Sequence, residues 1–189
     1  MKEAISMGLF FHNRKNVNPK AVPKAVTQAK DDAEAKIYFQ CLHEMQRFEK
    51  IARATKDYSH YFAAGEKCLL YVGWMKRDLV PPSIPCIQDL PDTYCACNRW
   101  NDATRVYGIA YAEKLINKQE LNEQIKFVRL IETAHNVAIA LLKNEPGFLQ
   151  RNIYKKLNEV DQDALKFVMR RSIDIEKVKS GNTYELHTN

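Results

Sequence analysis

Glycine and proline are scarce, at six and seven residues in a chain of 189. A turn-rich all-β fold needs more of both, which excludes that class. No run of 18 apolar residues occurs, so nothing reads as a transmembrane segment. No Gly-rich loop is present to cradle a phosphate, and no Ser, Cys or Asp pattern resembles a nucleophilic centre. His43-Glu44 opens like a His-Glu-x-x-His zinc motif, but Arg47 stands where the second His is required. These absences lead to a non-enzymatic protein with no catalytic residue, no metal and no cofactor.

Cysteine is present but does not pair into a framework. The five are Cys41, Cys68, Cys86, Cys95 and Cys97, an odd number with no secretory signal, so a reduced, cytoplasmic compartment is expected. Cys95-Ala96-Cys97 has one intervening residue, which on a helix turns the thiols about 200° apart and does not suit zinc.

What the chain does have is an ordinary globular composition, 46% hydrophobic and 28% charged, at a length that fits one or two domains. Its net charge of +6 is uneven. Residues 1–30 carry six basic side chains against Glu3 alone. Residues 31–142 hold 14 basic and 15 acidic groups, and residues 143–189 hold nine and seven. The basic surplus is mostly a property of the N-terminal stretch, so the global pI near 9.0 is weak evidence for nucleic acid.

Residues 1–30 read as a flexible basic tail, interrupted by Pro19 and Pro23. Phe10 and Phe11 in its Met-Gly-Leu-Phe-Phe cluster are candidate anchors for a partner groove or a bilayer surface; otherwise they pack on the helical body. Met7 is a candidate true start. A helical body is expected over 31–118. Its first helix, 31–55, is capped by Asp31 or Asp32 and carries Ile37, Cys41, Met45, Phe48 and Ile51-Ala52 as one apolar stripe. A second helix, about 58–77 with Asp57 as N-cap, folds back as an αα-hairpin. Tyr58, Tyr61, Phe62, Tyr71 and Trp74 crowd this helix. They read as core, or alternatively Tyr58, Tyr61, Phe62 and Trp74 form a partner- or self-association face. Pro81, Pro82, Pro85 and Pro91 mark the clearest break, after which a helix is expected from Pro91 to about Asn117. Leu90, Tyr94, Trp100, Ala103, Tyr107 and Ala110 match part of one tetratricopeptide repeat, but no second copy follows.

Residues 119–189 read as a second domain. The helix 119–143 is apolar on two sides and is expected between two layers, with His135 as a core or interhelix hydrogen-bonding residue. Pro146-Gly147 stops it. A short helix 148–157 follows, with Leu149, Ile153 and Leu157 on one stripe. Asp161 caps a helix to about 173, and Gly181-Asn182 turns a hairpin over 175–187.

This order of short helix, turn, second helix and hairpin resembles the winged helix-turn-helix superfamily over residues 120–187. The chain is also similar to small Gram-positive bacterial or phage proteins that pair a Met-Gly-Leu-Phe start with an ending like Lys-Ser-Gly-Asn-Thr-Tyr-Glu-Leu. That group carries no assigned activity, so its likeness implies architecture alone. The superfamily resemblance implies a mainly α fold, a helical body with a C-terminal winged helix carrying a small β-hairpin. It also implies a transcriptional regulator that binds double-stranded DNA, and a homodimer joined through the helical body is expected with it. Candidate contacts are then Gln162, Lys166, Arg170 and Arg171 on the recognition helix. Arg151, Lys155 and Lys156 lie on the helix before it, and Lys177, Lys179 and Asn182 on the wing. Against this stand Glu159, Asp161 and Asp163, which repel phosphate at the leading edge. The alternative is a protein-interaction adaptor that binds no nucleic acid. A continuous positive face over 161–171 would favour DNA, and a broken one a protein partner.

Overall fold

Helix α1 (Val26–Thr55) leads into α2 (Ser59–Trp74) through a three-residue turn. The computed structural model describes residues 26–189 except Pro82, with side chains from residue 33 onward. Phe10 and Phe11 lie outside the described residues. The first helix starts at Val26, five residues earlier than expected, so Asp31 and Asp32 are internal to it. Lys56 closes it in the left-handed conformation (φ 63°), donating its N–H to Ala52 O at 2.8 Å. Asp57 accepts from Ser59 N–H at 2.9 Å, but Tyr58 rather than Asp57 occupies the N-cap position.

The two helices are antiparallel. Tyr71 of α2 donates to Glu34 O, Lys67 pairs with Glu44 at 3.1 Å, and His60 stacks on Phe48. The buried stripe of α1 is Tyr38, Cys41, Met45 and Ala52; Ile37 and Ile51, expected in it, are exposed. On α2 the core takes Tyr61, Phe62, Cys68, Leu69 and Val72.

Two compact units divide the chain, one ending at Cys86 and the other running from Ile87 to Asn189. The division falls within the proline-rich break. It also groups residues 87–118, assigned above to the helical body, with the C-terminal elements. The expected single helix over 91–117 is two helices, α3 (Pro85–Ala96) and α4 (Trp100–Ala112). Pro91 sits inside α3 rather than at a helix start. The split comes from Asn98, held left-handed at φ 60°: Arg99 N–H reaches back to Tyr94 O at 2.8 Å and Asn98 N–H to Cys95 O at 3.1 Å. This double bond is the Schellman ending, for which Asn is the usual substitute for Gly. Lys114 ends α4 the same way.

Helix α5 (Lys118–Asn144) begins with a capping box: Asn117 and Glu120 exchange side-chain bonds with each other's backbone N–H at 2.9 and 2.8 Å. Its face of Val128, Ile131, Ala134, His135, Ala138 and Leu142 is buried, and it packs against α4, α7 (Gln162–Arg171) and β3 (Thr183–Thr188). Gly147, at φ +78°, turns the chain into β1 (Phe148–Leu149), which precedes α6 (Gln150–Lys156). After α7 comes β2 (Ile175–Ser180), and the sheet is antiparallel in the order β1-β3-β2. The fold is thus mainly α, with a small β-hairpin near the C-terminus.

The capping box makes a measurable claim. Asn117→Ala takes the acceptor from Glu120 N–H, one of the first N–H groups of α5, and should cost about 1 kcal/mol in urea unfolding. An unchanged midpoint and slope would show that the cap adds nothing.

Candidate nucleic-acid interface

The hairpin aims its side chains by register. Lys177 is opposite Leu186 and Lys179 opposite Tyr184, so both lysines share a face with Ile175 and Leu186, which are buried. Partial burial lowers the Lys177 ammonium below its ordinary range, and the positive charge of Arg170 lowers it further. Arg170 in the last turn of α7 and Lys177 on β2 therefore place two like charges in one field. Gly181, at φ +59°, is the first central residue of the two-residue turn, where Gly is required, and Asn182 beside it is exposed.

The cationic candidates fall into two groups. Lys166 pairs with Asp163 at 3.0 Å, Arg171 with Asp92 of α3 at 3.4 Å, and Lys156 with Glu145 at 3.5 Å. Arg151, Lys155, Arg170, Lys177 and Lys179 are exposed and have no carboxylate partner among the described residues. The positive surface is thus broken along α7 and resumes at its last turn, on the hairpin and on α6.

The leading turn of α7 is turned inward or satisfied locally. Asp161 accepts from Asp163 N–H and Ala164 N–H at 3.1 and 2.9 Å, the expected N-cap. The amide nitrogen of Gln162 donates to Leu157 O and Val160 O, both at 3.0 Å, and so ties the α6–α7 turn. Below it Ala164, Leu165, Val168 and Met169 form the buried face of the helix. Met169 is fully buried.

The link from α7 to β2 is held from two sides. Ile173 N–H donates to Ala96 O at 3.1 Å, and Asn189 N–H donates to Asp174 O at 2.9 Å. The Asp174 carboxylate accepts from the Asn98 side chain. His135, only 7% exposed, brings Nε2 to 3.2 Å of the same oxygen, off the line that a hydrogen bond needs. Trp100 lies tilted against the His135 ring. Asn98 and Asp174 were not singled out in the sequence. The signal for Asn98 was its fitness for the left-handed conformation, and nothing in the sequence marked Asp174.

The partner-face residues separate. Tyr61 and Phe62 are core at 1% and 6% exposure, which rules them out as a free surface, Tyr58 is half-buried, and Trp74 is 79% exposed. All five cysteines are free thiols, and no group of three or more His, Cys, Asp or Glu among the described residues could hold a metal ion. No helix among them is long and apolar enough to cross a membrane. No protein-family model, curated protein or solved structure matches the chain.

Asp92 supplies a pH test. Burial raises its carboxyl to about 6 from the ordinary 3.8, opposed by Arg171 and reinforced by Asp89. A raised carboxyl favours the folded state below about 3.8, and that contribution is lost as pH rises through about 6. Asp92→Asn removes the titration. Relative to wild type the variant should gain about 1–2 kcal/mol between pH 4 and 7, discounted for a side chain about one third open to solvent. Parallel pH dependence of the two proteins in urea unfolding would contradict this.

Proposed function

We propose that residues 118–189 form a winged helix that binds double-stranded DNA, in a protein with no enzymatic role. The element order α5-β1-α6-α7-β2-β3 supports this reading, and so does the sheet order, in which β3 lies between β1 and β2. In it α7 is the recognition helix and the β2–β3 hairpin is the wing. The observation that carries the proposal is the set of exposed cations without carboxylate partners among the described residues, Arg151, Lys155, Arg170, Lys177 and Lys179. Lysines and arginines left uncompensated in this way are what a phosphate backbone neutralises.

A second reading, a protein-docking adaptor, is favoured by the acidic leading turn of α7 and by the exposure of Trp74. Under it, a Trp74→Ser variant should lose a co-purifying partner or a self-association seen by light scattering.

Duplex affinity separates the two. With up to five phosphate contacts, log K against log salt should fall with a slope no steeper than about −4.5. Each of Arg170→Ala, Lys177→Ala and Lys179→Ala should make the slope shallower by about one. Absence of retardation of duplex fragments at about 50 mM salt would end the DNA reading.

A further inference from the structure

We infer that the duplex binding proposed above is made through phosphates and is indifferent to base sequence. The inference rests on that reading and narrows it, away from the operator-reading regulator expected from the sequence. In a helix-turn-helix docking, base readout is made chiefly by donors and acceptors on the leading residues of the recognition helix, delivered to base edges in the major groove. Those residues here are Asp161, Gln162 and Asp163, and the local hydrogen bonds commit each of them.

Asp161 accepts two backbone N–H groups at 3.1 and 2.9 Å, and turning it outward would uncap α7. Gln162 spends its amide nitrogen on two carbonyls of the preceding turn, both at 3.0 Å. Bidentate recognition of adenine by Gln needs that nitrogen and the amide oxygen together, so only half of the fork remains. Asp163 accepts from Lys166 at 3.0 Å, which occupies the next outward-facing residue as well. The following one, Phe167, carries Arg171 over its ring at 5.6 Å, and Arg171 is itself paired with Asp92. The first unpaired cation on the helix is Arg170, two turns from the start and in the field of Lys177. Charge is thus presented by α6, the end of α7 and the wing, while the groove-facing turn offers carboxylates. Lys155, Lys177 and Lys179 act there as point charges on phosphate and carry no base information, and Arg151 and Arg170 lie outside the leading turn.

One bidentate base contact discriminates by roughly 5- to 150-fold against the wrong pair. A protein with none should differ by less than about tenfold between unrelated duplexes. The test uses the full chain and a pool of random duplexes about 30 base pairs long, carried through repeated rounds of selection at about 50 mM salt. The selected pool should bind within about tenfold of the starting pool; enrichment of a motif bound more than about tenfold tighter overturns the inference while leaving DNA binding intact. No binding by either pool overturns the DNA reading and the inference with it. Asp163→Asn gives an independent check, because it removes a carboxylate and releases Lys166. It should tighten binding to all duplexes alike, on the order of tenfold at low salt, and steepen the salt slope by about one. A variant that tightens on one sequence class alone would also overturn the inference.

Discussion

The buried face of α5 is the constraint on which the second unit depends. One helix serves α4 on one side and α7 with β3 on the other, so its apolar residues cannot be confined to a narrow stripe. Val128, Ile131, Ala134, Ala138 and Leu142 are buried, while Leu121, Ile125, Phe127 and Leu141 are half-buried at the flanks. The capping box sets where this surface begins, and Gly147 sets where the chain leaves it. The position of α7, and with it the direction in which Arg170 points, follows from packing on this one surface rather than from contacts of its own outward face.

Much of this was legible in the residues because local chemistry and tertiary packing agreed. The 119–143 periodicity gave α5 to within a residue at each end, and Asp161 and Gly181 gave the start of α7 and the hairpin turn. The misreadings share one cause. Pro91 suits a helix start because proline is favoured there, yet it lies within α3, and the punctuation is Asn98 in the left-handed conformation. Propensity ranks what a residue prefers; it does not say which of two permitted places it occupies. The stripe of α1 keeps Cys41, Met45 and Ala52 but takes Tyr38 in place of Ile37, because hydrophobicity alone ranks Ile above Tyr.

The candidate interface was less legible than the fold. Net charge identified basic residues but could not say which of them were already paired. Lys166, Arg171 and Lys156 have carboxylates within reach, at separations in sequence that range from three residues to most of the unit. Asp163–Lys166 can be read from i,i+3 spacing on a helix, whereas Asp92–Arg171 exists only once α3 and α7 are brought together. Gln162 shows the same limit: whether an amide faces solvent or its own backbone depends on the turn before it.

Strand β2 lies on the outside of the sheet, and its outer side has no strand partner among the described residues. An open strand of this kind is a template for pairing with another chain, and lysine on it is one of the ways such pairing is discouraged. Lys177 and Lys179 are therefore guards of the monomeric hairpin whatever else they contact. Val178, between them on the opposite face, is 44% exposed, so the strand keeps an exposed apolar residue if both charges are removed. Neutralising the wing carries a solubility consequence of its own: chains stripped of these two charges would be prone to zip together along β2.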